Sequence, residues 1–349
     1  MLAMTIMLLT LCSNFGAIAD SASTKGCNNM KRTVSFPILI RISIVSLVLA
    51  SCGRAEPPVS NLVLLVGSCW EGGHILRFDG NTGKYIDTFA NEGNELDCAE
   101  GDAIIGPDAN LYVTNFSPGR IDQVEGSKDS VLRYDPNTGK FIDVFIAPSP
   151  ELDGPHGLAF GPDGNFYVST RFTNSVLRYD GKTGEFIEEF VKSGSGGLSD
   201  ASRIVFRPDG KLYVLGLQNA NVLRYDGKTG EFIDEFVKSG SGGLTRPHDF
   251  VFGPDGNLYV SSFPNNAVLR YDGKTGEFMG EFVKPKTSPL EYVGQMVFRP
   301  DGKFYLTSCI NNMVLRYDEK TGDTIDTFVE SGSGGLNGTT FMLFVELNK

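Results

Sequence analysis

Positive charge is scarce in this sequence. Its 31 lysines and arginines stand against 42 aspartates and glutamates, a formal net charge of −11. A nucleic-acid surface needs a basic footprint to meet phosphates, so that class of partner is excluded. A 3.6-residue apolar period is missing too, which excludes helical repeats. The recurring Asp-Gly-Lys-Thr-Gly segments lack both the Gly-x4-Gly-Lys-Ser/Thr spacing of a phosphate loop and the closing glutamate of a calcium-binding helix–loop–helix. They read as hairpin turns. What the chain has in quantity is glycine (42) and proline (17), with 41% hydrophobic residues. That combination suits a turn-rich all-β protein with a sizeable core.

The dominant feature is an internal repeat. Leu-Arg-Phe/Tyr-Asp recurs and ends at Asp79, Asp135, Asp180, Asp226, Asp272 and Asp318, with steps of 56, 45, 46, 46 and 46 residues. The fifth copy shows four short strands: His248 to Gly253 (A), Asn257 to Ser262 (B), Ala267 to Asp272 (C) and Glu277 to Val283 (D). Period-2 alternation bounded by Gly, Pro, Asn and Asp is the strand signature. Four strands in about 45 residues make a propeller blade. The spacing predicts an all-β, six-bladed β-propeller over residues 61–349. The chain enters at strand B of the first blade (Leu62 to Ser68) and ends on a lone apolar strand, Thr340 to Leu347. That last strand is expected to complete the first blade and remove the open edge. The Ser-Gly-Ser-Gly-Gly runs at 193–197, 239–243 and 331–335 are expected to be flexible D-to-A linkers.

The N-terminal region reads as targeting rather than fold. Met30-Lys31-Arg32 begins a basic start, and an apolar stretch follows from Phe36 to Ala50. Leu49-Ala50-Ser51-Cys52 resembles the lipobox of bacterial lipoproteins. The resemblance implies a signal peptide over 30–51, lipidation of Cys52, and a membrane-tethered protein facing the periplasm or cell exterior. Gly53 after the cysteine favours the outer membrane on the same analogy. Residues 1–29 carry a second apolar stretch and are expected to be an upstream extension, with translation beginning at Met30. Residues 52–60 are a linker. Removal of residues 1–51 takes away Lys25, Lys31, Arg32 and Arg41 against Asp20, a net +3, so the mature chain carries −14.

Gly-Pro-Asp-Gly-Asn-Leu-Tyr-Val (253–260) and Asn-Ala-Val-Leu-Arg-Tyr-Asp (266–272) resemble NHL-type repeats. They are also similar to the propellers of the streptogramin (virginiamycin B) lyase and gluconolactonase-like groups. Fold follows from this resemblance more firmly than activity, because such repeats serve enzymes, scaffolds and ligand binders alike.

Function is expected where the repeats differ. Aligned on Gly/Arg-Pro-Asp, the strand A entrances hold Gly101, His156, Ser202, His248 and Gly294, followed by Asp102, Gly157, Arg203, Asp249 and Gln295. Asp102, His156, Arg203, His248, Asp249 and Gln295 are therefore the candidate ligand-binding residues at the channel mouth, with Glu100 and Asp153 close by. His156 and His248, each preceded by proline, are the catalytic candidates, since a near-neutral imidazole suits proton abstraction. With Asp249 they are also the metal candidates. The lyase resemblance implies a histidine base beside a metal-bound substrate. The gluconolactonase resemblance implies a divalent cation, Mg or Ca, for which Glu71, Asn115 and Asp249 are candidates. The plainer alternative has the histidines capping strands and bonding to neighbouring loops. The second blade is longer by about ten residues, in the loop from Asn115 to Ser130, on the same face.

Three cysteines remain beside Cys52 in the mature chain: Cys69, Cys98 and Cys309. An exported protein favours one disulfide. Cys69–Cys98 and Cys69–Cys309 are both open, and the second would staple the ring shut. The expected function is a monomeric, tethered propeller that binds a small molecule or a protein partner on its channel face. The alternative is a metal-dependent lyase or lactonase-like hydrolase.

Overall fold

The computed structural model describes residues 61–347, apart from 71, 92, 94, 117–127 and 285–288. Cys52, the leader, the linker, Glu71 and most of the long second-blade loop lie outside the described residues. The described part falls within one compact unit, Glu56–Lys349.

Its 24 strands form six four-stranded antiparallel sheets, the six blades of a propeller. Blade 1 has the order Thr339–Glu346, Leu62–Ser68, His74–Asp79, Tyr85–Ala90. The C-terminal strand thus supplies strand A of the first blade, pairing Val63 with Val345 and Leu65 with Leu343. The observed strand, Thr339–Glu346, sits one residue earlier than the sequence pattern predicts.

Position in the blade explains the pattern of each strand. Strand B lies between neighbours on both sides, and all five residues of Leu111–Asn115, Phe166–Thr170 and Leu258–Ser262 are buried. Such strands read as near-continuous apolar runs. Strand D is the outer edge: in Phe186–Val191 the first half is exposed, Phe186 and Ile187 included, and only Phe190 and Val191 are buried. The core is six apolar clusters, each between two adjacent blades. One of them joins Leu64, Val66 and Phe78 of blade 1 to Tyr305, Val314 and Phe328 of blade 6, so the ring closes by packing as well as by pairing.

The Leu-Arg-Tyr-Asp repeat now has a physical reading. Leucine and tyrosine are buried, as at Leu223 and Tyr225. The arginine pairs with an acid across the hairpin, as Arg133 does with Asp143 at 2.6 Å. The aspartate caps the turn: Asp226 Oδ1 accepts from the Lys228 and Thr229 N–H groups, both at 2.9 Å. The glycine that ends the turn has φ near +72° and lies against the preceding blade. A Cβ on Gly230 would come within 2.0 Å of the Phe190 carbonyl oxygen.

The Ser-Gly-Ser-Gly-Gly runs are not flexible linkers. Each contains a short 3-10 turn, at Ser195–Gly197, Ser241–Gly243 and Ser333–Gly335. Three glycines in each take positive φ, and an aromatic ring covers the middle one: Phe232 over Gly196, Phe278 over Gly242, Tyr85 over Gly334. Tyr225 and Tyr271 donate to the carbonyls of Ser195 and Ser241 at 2.7 Å. Glycine is here for conformation and close approach, a use that composition alone cannot separate from looseness.

Candidate functional site

Strand A opens with a register shift in blades 1, 3, 4 and 6 and starts late, at Ala103 and Phe250, in blades 2 and 5, and these entrances build the site. In blade 3 the pairing runs Pro155↔Thr170 and then Leu158↔Val168, so strand A spends one residue more than strand B. Blades 4 and 6 do the same between Ala201 and Ile204 and between Val293 and Met296. A bulge of this kind re-aims side chains. Its freed N–H groups are caught by a hydroxyl on strand B. Thr114 Oγ1 accepts from Asp102 N (3.0 Å), Ser169 Oγ from Gly157 N (2.8 Å) and Thr307 Oγ1 from Gln295 N (2.7 Å). Ser261 Oγ accepts from both His248 N and Asp249 N at 2.9 Å. That is why strand A of blade 5 is only Phe250–Phe252, shorter than its sequence pattern suggests. The hydroxyls recur in Tyr-Val-Thr, Tyr-Val-Ser and Tyr-Leu-Thr on strand B, a signal visible in the sequence that the entrance alignment passes over.

The entrance residues of blades 2, 4, 5 and 6 meet in the channel. Arg203 Nη1 donates to Asp102 Oδ2 at 2.5 Å, and Arg203 Nε lies 3.5 Å from Asp249 Oδ1. Gln295 Nε2 donates to Asp102 Oδ1 at 2.9 Å. Each acceptor also holds the next blade: Asp249 Oδ2 takes the Met296 N–H (2.8 Å), Gln295 Oε1 the Met342 N–H (2.5 Å) and Asp102 Oδ2 the Leu158 N–H (3.3 Å). The four residues form a belt across the channel. Burial pushes the Asp249 carboxyl up to about 7, against the opposing pull of Arg203.

Above this belt opens a bowl of about 610 Å³. His156, His248, Glu100, Tyr292, Trp70 and Cys309 stand among its walls. Burial, reinforced by the nearby charge of Arg171, holds both imidazoles neutral: His248 falls to about 4, and His156 lies well below its ordinary range. The two histidines differ in their bonding. His248 Nε2 shares a 2.6 Å hydrogen bond with the Tyr292 hydroxyl, whose ring tilts against the imidazole at 4.5 Å. Tyr292 lies in the D-to-A loop before blade 6, so His248 fits the plainer expectation of a loop-bonded histidine. The His156 ring makes no hydrogen bond among the described residues.

Comparison of the strand A entrances also passes over Arg171 and Tyr292, which sit in the adjoining loops. Arg171 binds Asp200 through Nε at 2.7 Å and Glu100 through Nη1 at 3.2 Å. Burial raises the Glu100 carboxyl, and Arg171 opposes that rise.

The metal readings do not assemble. Among the described residues, the His/Cys/Asp/Glu trio whose ligand atoms all lie within 4.8 Å of one another is Cys69, Cys98 and Glu100. Its two cysteines form a disulfide. His156, His248 and Asp249 make no such trio, and Asp249 is engaged with Arg203 and the Met296 N–H. Asn115, a candidate in the gluconolactonase-like reading, is 2% exposed and bonded to the Asp97 N–H and to the carbonyls of Glu95 and Lys128. It fastens its own loop. Of the two disulfide options, Cys69–Cys98 forms, and Cys309 is a free, buried thiol. The bridge ties the B-to-C loop of blade 1 to the entrance of blade 2, leaving ring closure to the C-terminal strand.

Neither a protein-family model nor a curated protein matches the sequence. Solved structures do resemble it. A chain of the nidogen/laminin complex superposes with a TM-score of 0.60 at 16% identity, covering 82% of this chain and 100% of that one. A catalytically inactive histidine-to-alanine variant of virginiamycin B lyase from Staphylococcus aureus, solved with quinupristin, gives 0.52 at 17% identity over 78% and 86%. A 6-phosphogluconolactonase candidate from Bacteroides uniformis gives 0.51 at 15% over 81% and 99%. Identities this low speak to architecture alone, and on that ground the chain is a six-bladed β-propeller sharing its fold with the virginiamycin B lyase and with propellers of unrelated function.

Proposed function

We propose that this protein is an exported, lipid-anchored propeller that binds a small molecule in the bowl at its channel mouth. The observation that carries this reading is the bowl itself. Its walls come from the few positions where the blades differ, and its volume is that of a small-ligand site. The lipobox-like Leu49-Ala50-Ser51-Cys52 supports the anchor. Radiolabelled palmitate should be incorporated by the full chain and lost in Cys52→Ala. For binding, the mature chain is screened against a small-molecule panel by thermal shift. At least one compound should raise Tm, and His156→Ala should reduce that rise. A panel that leaves Tm unmoved sinks the reading.

One observation favours a second reading, an enzyme. The His156 imidazole is unpartnered among the described residues and faces the bowl, which leaves its ring nitrogens open to a proton of a bound substrate. The virginiamycin B lyase variant with a histidine replaced is described as catalytically inactive, which makes a histidine-dependent elimination the reaction to test first. Elemental analysis of purified protein, with His156→Ala and His248→Ala beside it, checks the divalent metal this reading would draw in.

A further inference from the structure

The guanidiniums at the bowl are already engaged. Arg171 is shared by Glu100 and Asp200, and Arg203 by Asp102 and Asp249. Both imidazoles are held neutral. An anion entering here would desolvate its own charge, find both guanidiniums taken and face their carboxylates. Burying an unpaired charge is costly, whereas a neutral hydrogen-bonding group carries a far smaller penalty.

The placement of side chains around the ring adds a direction. Trp70, His156 and His248 belong to blades 1, 3 and 5, alternate blades of six. Blades 2 and 6, which flank Trp70, carry Gly101 and Gly294 where blades 3 and 5 carry the histidines. Trp70 packs against Gly338, where a Cβ would come within 2.5 Å of its ring, and remains 49% exposed. Cys69, bridged to Cys98, directly precedes it in the chain. Trp70 thus offers the bowl an open aromatic face, and His156 offers it a neutral imidazole. A neutral imidazole presents one donor and one acceptor nitrogen, and at His156 neither is used among the described residues.

Building on the ligand-binding reading above, we infer that the bowl takes an amphipathic molecule without negative charge, its flat apolar part on Trp70 and an amide or hydroxyl group on His156. Trp70 is the only tryptophan of the chain, so its fluorescence reports on this site alone. The test titrates the mature protein at pH 7.5 with two probes sharing one ring: 2-naphthamide (neutral) and 2-naphthoate (anionic). The amide should bind at least about tenfold more tightly than the anion, a difference of about 1.4 kcal/mol. By calorimetry, Trp70→Ala should weaken the amide about tenfold. His156→Leu should do likewise, while His156→Gln, which keeps a donor and an acceptor, should retain binding. Equal or tighter binding of the anion overturns the inference and leaves the ligand-binding reading intact. If neither probe perturbs Trp70, the inference falls, and the panel screen decides the broader reading separately. Amide binding that ignores both His156 variants overturns the assigned orientation.

Discussion

Arg203 reaches across the channel from blade 4 to Asp102 of blade 2, with 2.5 Å between Nη1 and Oδ2. The same guanidinium leans on Asp249 of blade 5. Asp102 and Asp249 are only 2% and 3% exposed, so two buried carboxylates share this one cation. Removing one partner of such a set leaves uncompensated charge in a low-dielectric place. Arg203→Met should therefore destabilise the propeller by roughly 3–5 kcal/mol in urea unfolding. Adding Asp102→Asn should recover part of that loss. A cost below about 1 kcal/mol would mean the belt is solvated in practice.

The belt and the bowl titrate with opposite signs. Asp249 has its carboxyl raised to about 7, so its stabilising contribution is full below the ordinary carboxylate range and is lost as pH climbs towards 7. His248 is lowered to about 4 by burial and by Arg171 and Arg246, with Asp200 opposing. Its contribution is full above its ordinary 6.5 and is lost as pH falls towards 4. Measured across pH 4 to 8, the Tm of Asp249→Asn relative to wild type should improve as pH rises. His248→Gln should improve relative to wild type as pH falls. Parallel curves for either variant would refute its assignment.

The blade count, the ring closure and the entrance positions were legible because they rest on periodicity. Asp102, Arg203, Asp249 and Gln295 all turn into the channel as the alignment implies, and His156 and His248 reach the bowl above them. What stayed illegible was partnership between blades far apart in sequence. Nothing in the spacing says that Arg203 takes up Asp102 and Asp249 and so withdraws Asp249 from a metal. Tyr292 and Arg171 hold fixed places in loops that repeat from blade 3 to blade 6, but they lie outside the strand A entrances and their partners lie on other blades. The Ser-Gly-Ser-Gly-Gly runs misled for a related reason: the rings that cover their glycines lie over 30 residues downstream or, for Gly334, at the other end of the chain.

Cysteine chemistry offers a direct count. Burial pushes the Cys309 thiol up to about 12, with the charge of Glu100 adding to the effect. A chain beginning at Gly53 should therefore show no reactive thiol to Ellman's reagent at pH 8 when native, and one after denaturation. Replacing Cys69 and Cys98 together by serine should cost roughly 3–4 kcal/mol for the loop they close. A readily titrated native thiol would place Cys309 in solvent, against its burial here.

Two glycines separate backbone strain from blade packing. Gly210, in the Pro-Asp-Gly turn of blade 4, has φ +78° and open space where a Cβ would stand. Gly230, closing the Asp-Gly-Lys-Thr-Gly turn of the same blade, has φ +72° and would thrust its Cβ to within 2.0 Å of the Phe190 carbonyl oxygen on blade 3. The backbone term is shared, about 1–2 kcal/mol for an L residue in this conformation. Gly210→Ala should cost that much and no more. Gly230→Ala should add about 1–3 kcal/mol of overpacking, because the atom it strikes is backbone held in a strand and cannot rotate away. Equilibrium unfolding of the two variants reads the difference. It should recur at Gly184 and Gly276, whose Cβ positions meet the carbonyls of Phe145 and Phe236 on the preceding blades. Equal costs at 210 and 230 would mean that blades 3 and 4 can part without penalty, and that the Thr-Gly of each repeat serves its own turn rather than the ring.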